Sequence, residues 1–379
     1  MAMDKPFTDI DQPSLEAEVN SYVPGSGLAW GTMFPLKYTR KFDIKGIEGD
    51  EGIPVTADRV AFNTKAPLKQ RKKIGSWSGR IAKIAVSRDM DEIDINEYQD
   101  AQTLAQNADT DSAEKQELVD MVYNDVKFCA NAMDHRIELD DLRIGCSGKH
   151  TANSRLDGDM ATEDEINFNI PAKNFKGAKT PWFTLNEQGE MTVNVEANGL
   201  QDIIDAQAAV GKTGQPKPMF CYIEKEAFIA LCLQTATVRR LHPGITADSL
   251  ALITPEQISL DTINAFMDKN GYPHFLVLDS YVTVENKKGE QETVKPWNIK
   301  VATLSRTRQL GWTYWKTVPQ VQNSKSLQTY GAYYKMTRYG EDNPMHEVTL
   351  AEGYVQGALI NRRSMVLMNL TKTTWANGN

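Results

Sequence analysis

One apolar stripe constrains this chain more than any other feature. Leu118, Val122, Val126, Cys129, Met133 and Ile137 recur at spacings of three and four residues. That period puts side chains on one face of an α-helix. Just ahead of it, Asp111-Ser112-Ala113-Glu114 has the form of a capping box, with an acid three residues after a capping side chain. Gly145 reads as the stop. A helix of about 32 residues, rising 1.5 Å per residue, makes a rod of about 48 Å. Such a rod is long for a compact domain and suits a structural spine.

The spine sits beside an inversion of charge. From Arg59 to Arg88 there is no acidic residue and there are nine basic ones: Arg59, Lys65, Lys69, Arg71, Lys72, Lys73, Arg80, Lys83 and Arg88. From Asp89 to Asp141 there are sixteen Asp and Glu against three Lys and Arg, in a chain whose net charge is −8. Blocks of this kind are surfaces that meet a partner. Because both signs lie on one chain, the partner of each block can be another copy. The candidate contacts between copies are the nine cations, Trp77 among them, and Asp134, Glu138, Asp140 and Asp141.

The basic block is predicted to form an extended hairpin. Its strands are Val55 to Phe62 and Arg80 to Val86, with Ala66-Pro67 and Ile74-Gly75-Ser76-Trp77-Ser78-Gly79 in the connection. Lys69, Arg71, Lys72 and Lys73 crowd its tip. Too few large apolar residues are present to bury both faces, and an isolated hairpin is marginal in water. The hairpin of one copy is therefore expected to lie across the acidic spine region of its neighbour.

Elsewhere the pattern is α/β. Residues 1–37 read as an extended arm with a flexible joint at Val23-Pro24-Gly25-Ser26-Gly27. The arm's apolar Leu28, Trp30, Met33, Phe34 and Leu36 require a surface to dock on. Helices are expected over Leu200–Val210, Lys225–Arg239 and Ser259–Asn270, the last ending at Gly271 in the left-handed conformation. Strands are expected at Met191–Val195, Met219–Ile223, Phe275–Val284 and Ile299–Leu304. The apolar stretch from Tyr354 to Leu370 is expected to return and pack on the long helix.

Composition and motifs argue against several other classes. A pI near 5.3 disfavours a dedicated nucleic-acid binder. The acidic N-terminus does not resemble a signal peptide, and no run approaches the apolar length of a membrane span. Cys129, Cys146, Cys221 and Cys232 lie far apart and are read as reduced core thiols. Gly211-Lys212-Thr213 echoes a phosphate loop, but Ala206 stands where that loop needs a glycine, and a helix leads in where a strand should. Gly145-Cys146-Ser147-Gly148-Lys149-His150 gathers reactive groups in sequence without any group to orient them. Asp134 to Asp141 continues a helix and lacks the glycine bend of a hard-cation loop. No cofactor, metal or catalytic residue is assigned, and the chain is read as not an enzyme.

The order of elements carries a resemblance. Thr56-Ala57-Asp58-Arg59-Val60-Ala61-Phe62 looks like a first hairpin strand. Asp279-Ser280-Tyr281-Val282-Thr283-Val284-Glu285-Asn286, followed by Val294-Lys295-Pro296-Trp297, looks like a strand, polar turn and proline-containing return. Glu352-Gly353-Tyr354-Val355-Gln356-Gly357-Ala358-Leu359-Ile360 looks like a terminal strand. In this order they resemble the major capsid proteins of tailed bacteriophages with the Hong Kong 97-type fold, most closely the lambda-type major head protein family. The resemblance implies an α+β fold with an N-terminal arm (1–37), an extended loop (38–95) and a peripheral domain with the spine helix (96–195). An axial domain (196–334) and a return to the peripheral domain (335–379) complete it.

By the same resemblance the chain self-assembles into pentamers and hexamers of an icosahedral shell. That shell, built in the host bacterial cytoplasm, encloses double-stranded DNA without sequence-specific binding. The implied partners are further copies, a scaffolding protein, a portal and a decoration protein, with no membrane. The competing classes are an encapsulin-like compartment of the same fold and a nucleotide-binding enzyme at Gly211-Lys212-Thr213.

Overall fold

The computed structural model describes residues 11–47, 57–60, 62, 65, 76–107, 112–151, 165–244, 258–285, 289–320 and 325–375. The chain opens with helices α1 (Gln12–Ser21) and α2 (Trp30–Met33) and strand β1 (Leu36–Tyr38). Strand β2 (Asp43–Ile47) pairs with β3 (Ser76–Arg80). Next come β4 (Ala82–Met90), α3 (Glu92–Asn107) and the long α4 (Ser112–Ser147). Strand β5 (Lys149–His150) pairs with β6 (Ile166–Asn167). Then β7 (Phe175–Gly177) precedes the pair β8 (Phe183–Leu185) and β9 (Met191–Val193). Helix α5 (Gly199–Gly211) leads through β10 (Phe220–Glu224) to α6 (Lys225–Cys232), α7 (Thr235–Leu241) and α8 (Leu260–Lys269). After β11 (His274–Leu278), the hairpin β12 (Val282–Glu285) and β13 (Gln291–Val294) is followed by β14 (Val301–Ser305). The last strands are β15 (Gly311–Lys316), β16 (Leu327–Tyr330), β17 (Tyr334–Asp342), β18 (Met345–Leu359) and β19 (Val366–Asn369).

These elements gather into two units. The first holds Met1–Asp43, Arg80–Asp140 and Trp312–Gly357. Its sheet runs β1-β15-β18-β17-β16, with β4 also on β18. β18 is long because both of its edges are used: Met345–Gly353 pairs with β17, and Glu347–Val355 pairs with β4. Strand alternation then sorts the residues. Ile84 and Val86 of β4, with Ala351 and Val355 of β18, join the core that holds Val126, Cys129, Met133 and Ile137 of α4. The predicted stripe therefore faces this sheet. Leu118 and Val122 lie outside the described side chains.

The second unit holds Ile44–Gly79, Asp141–Gly311 and Ala358–Asn379. Its sheet order is β11-β10-β14-β19-β7, of mixed direction. Leu200 and Ile203 of α5, Leu231 of α6, Ile263 of α8, Phe275, Leu304 and Met368 share one core. Asn198 caps α5 by accepting from the Gln201 N–H at 3.3 Å, and Ser259 caps α8 from Thr262 at 3.2 Å. Gly271 follows α8 at φ +67°, the left-handed residue expected there.

Several expectations change. The helix does not stop at Gly145. It runs to Ser147 and ends before Gly148, at φ +74°, giving 36 residues and a rod of about 54 Å. Gly145 is needed for closeness, since a Cβ there would lie 2.9 Å from the Trp297 ring. Ala57–Val60 and Phe62, expected in a strand, are in none. The partner of β3 is β2, and the second predicted hairpin strand belongs to the large sheet of the first unit. The arm is not wholly extended, for α1 and α2 are helical. The predicted 225–239 helix breaks at Gln234, whose buried amide oxygen accepts from the Gly199 N–H at 2.6 Å. Strand 275–284 breaks between Leu278 and Val282. Of the terminal stretch, β18 packs on α4 but β19 joins the second sheet.

Candidate subunit interface

The arm docks on its own chain through two carboxylates of α4. Leu15, Val19 and Trp30 enter the core of the first unit beside Val126, Met133 and Tyr333. Asp134 accepts from the Tyr22 hydroxyl at 2.9 Å, from the Gly25 N–H at 2.6 Å and from the Tyr333 hydroxyl. One turn on, Glu138 accepts from the Trp30 N–H at 2.8 Å and the Ala29 N–H at 3.3 Å. Ala29 stands at the N-cap of α2 with no side chain able to cap it, so Glu138 supplies the missing acceptor. Gly25 fits because its φ is +68° and a Cβ would lie 3.1 Å from the Trp30 ring. Burial raises the Asp134 carboxyl above the usual range, against the pull of its three donors. Burial, then the nearby Asp134 charge, raises the Tyr22 and Tyr333 hydroxyls as well.

This geometry corrects part of the predicted contact set. Asp134, Glu138 and Asp141 are 0%, 0% and 1% exposed, so they cannot meet a neighbouring copy. Asp140 is half-buried and binds the Arg136 Nε at 2.9 Å on its own helix. Trp77 is also buried. It packs edge-on against Phe168 at 4.9 Å and lies close over Gly46, where a Cβ would come within 1.9 Å of Nε1. The described acids of this block that are exposed are Asp89, Asp91, Glu92, Glu97 and Asp100, on β4 and α3, with Ile93 between them 67% exposed.

The described cations stay on the surface, and Arg88 and Lys83 have partners within the chain. Arg88 reaches Asp125 of α4 at 3.3 Å, with its guanidinium 4.9 Å from the Phe128 ring centre. Lys83 pairs with Glu352, which Lys335 also holds at 3.1 Å. Those two lysines keep the Glu352 carboxyl below its usual range although burial works the other way. Arg59, Lys65 and Arg80 are exposed, and Phe62 is wholly so. Lys69, Arg71, Lys72 and Lys73 lie outside the described residues. A cavity of about 370 Å³ opens between α1 and α4, lined by Val19, Tyr22, Val23, Val126 and Ala130.

Sequence reasoning missed Tyr22, Gly25, Trp30 and Tyr333 as partners of the spine acids. Nothing local signals them, because the groups lie about a hundred or more positions apart. The other motifs resolve as structure. Gly211 ends α5, Lys212 follows it, and the Thr213 hydroxyl bonds back to the Val210 carbonyl at 2.7 Å. The segment therefore closes a helix, where a phosphate loop would open one. Cys146 is buried, with burial raising its thiol to about 11, outside the range of a nucleophile. Among the described residues no group of three His, Cys, Asp or Glu is placed to hold a metal ion, and no helix is long and apolar enough to cross a membrane.

No family model and no curated protein matches this chain. Solved structures do. A phage-related protein from Bordetella bronchiseptica RB50 is 13% identical, with a TM-score of 0.52 over 98% of this chain and 99% of that one. A prophage protein from Escherichia coli CFT073, described as a capsid protein, is 14% identical, with a TM-score of 0.54 over 95% of this chain and 99% of that one. The architecture is therefore an α+β fold of the phage-capsid type, matched almost end to end.

Proposed function

We propose that this chain is the structural subunit of a tailed-phage head, self-assembling into five- and six-membered rings of a shell around double-stranded DNA. The observation that carries the reading is the match over nearly the whole length of both chains to the prophage protein described as a capsid protein. The division into arm, extended loop, peripheral and axial domains belongs to this proposal, as do a scaffolding protein, a portal, a decoration protein and a place in the virion capsid. The chain acts through surfaces and carries out no chemistry.

Ring closure needs a heterologous contact, in which one patch of a copy meets a different patch of the next. The surface charges offer such a pair. The exposed cations Arg59, Lys65 and Arg80 supply one side of it. The exposed acids of α3 and the end of β4 form the other. The acceptor is thus the α3 surface, since the described spine acids Asp125, Asp134, Glu138 and Asp141 are buried. Exposed ion pairs contribute roughly 0–1 kcal/mol each, so they set register, while Phe62 and Ile93 supply apolar burial. Electron microscopy and sedimentation of the purified chain at rising concentration test this. Shells, tubes or rings are expected. A monodisperse monomer at high concentration would sink it.

A further inference from the structure

The second unit carries a basic surface that the charge blocks did not predict. Four exposed cations come from three separate loops: Lys217 before β10, Lys269 at the end of α8, and Arg306 and Arg308 after β14. The backbone ties these loops to one end of the sheet. The Met219 N–H donates to the Ser305 carbonyl at 2.8 Å, and the His274 N–H donates to the Met219 carbonyl at 2.8 Å. The Gln207 amide donates to the Pro218 carbonyl at 2.9 Å and the Gly271 carbonyl at 3.1 Å. None of the four cations forms an ion pair among the described residues. Asp268, the acid next to Lys269 in sequence, lies 3.0 Å from His274 Nδ1. Lys212, nearby in sequence, faces Asp205 and is left out of the set.

We infer that this end of the second unit binds the phosphate backbone of duplex DNA. The inference rests on the proposed role as a DNA-enclosing shell and adds the place of contact. Point charges spread over three loops suit a backbone, which needs neutralisation without a base-reading element. Single strands would need an open aromatic face. The Phe220 ring here is flanked by the Arg308 guanidinium at 5.6 Å and by His274 edge-on at 6.2 Å. An acidic overall composition confines DNA contact to such patches and leaves the rest of the wall repulsive.

The test is fluorescence anisotropy of a labelled duplex of arbitrary sequence with the full chain, below its assembly concentration, from 50 to 200 mM salt. Four phosphate contacts predict a log–log salt slope of about −3.6 and a loss of about two orders of magnitude across that range. Lys217→Glu/Arg306→Glu/Arg308→Glu should weaken binding at least tenfold and flatten the slope. Arg40→Glu/Lys41→Glu/Lys173→Glu, with the same change in net charge, should bind more tightly than that variant. Lys217→Glu alone, which leaves the Arg308 stacking intact, should fall between wild type and the triple variant. Equal binding by the two triple variants, or a slope near zero, overturns the inference. Assembly is followed separately by microscopy. If the patch variant alone fails to assemble, the patch is a contact between copies, and the DNA site falls while the shell reading stands. If the wild type binds duplex with the predicted slope but never assembles, the shell reading falls while the site stands.

Discussion

The two oppositely charged stretches on either side of residue 88 fold in opposite ways. The cations of the basic stretch stay at the surface wherever they are described, with Arg59, Lys65, Arg80, Lys83 and Arg88 all exposed. The acidic stretch divides. Glu92, Glu97 and Asp100 of α3 are exposed, whereas Asp125, Asp134, Glu138 and Asp141 of α4 are buried. The difference follows from side-chain chemistry. A carboxylate is short and only accepts, so it can be enclosed when backbone N–H groups and hydroxyls converge on it. Lysine and arginine are long, and they lay their stems on the protein while the charge stays in water. A run of like charge is therefore weaker evidence of a surface when it is acidic and lies on a helix with one apolar face.

The largest test of this contrast is the buried pair Arg338 and Glu347, whose side chains are both 0% exposed. Arg338→Met should cost about 3–5 kcal/mol in chemical denaturation, because it removes the cation paired with a buried carboxylate. Adding Glu347→Leu should recover most of that loss, and no recovery would show that these charges do more than pair. Next comes Asp134→Ala, which leaves the Gly25 N–H and the Tyr333 hydroxyl without their acceptor, while Tyr22 keeps Asn131 Oδ1 at 2.9 Å, and should cost about 3 kcal/mol. Limited proteolysis should then show cleavage of the arm before the sheet core opens. Gly145→Ala should cost about 1–3 kcal/mol by pressing on Trp297, read as a fall in Tm.

A pH titration sharpens the same point. The folded pKa of Asp134 is raised, so its share of stability is full below the ordinary carboxylate range and is lost as pH rises through the folded value. Acidification through the raised Asp134 value should therefore slow hydrogen exchange in the arm, and Asp134→Asn should flatten that dependence. Glu352 has the opposite sign: its contribution is present above the ordinary value and is lost as pH falls through the lowered one. The smallest effect is expected at the surface. Lys83→Ala, at a half-exposed pair, should cost less than about 1 kcal/mol. A larger loss would show that exposed and buried charges are less different here than their solvation implies.

Much of the fold was legible. The spine helix, α5, α8 with its Gly271 stop, and the strands near 220 and 301 follow from periodicity and capping, which are local. The errors share one cause. Gly145 looks like a helix stop until Trp297 is seen to need the room. Residues 225–239 look like one helix until Gln234 is drawn off to Gly199. Val86 and Arg88 look like part of a free hairpin until β18 pairs with them. In each case a partner far away in sequence decided the local outcome. The candidate interface was less legible than the fold. A sequence shows how much charge a segment carries but not whether water or a distant donor will meet it.

The sequence alone determined the helical spine, the α/β remainder and the two charge blocks. These depend on the order of residues within a few turns of the chain. Only the tertiary structure decided that the spine carboxylates clasp the arm, that Trp77 is internal and that the exposed acids lie on α3. It also brought four scattered cations to one end of a sheet. Those outcomes depend on which groups meet across long loops, and the free energy of a charge is set by what surrounds it once they have met.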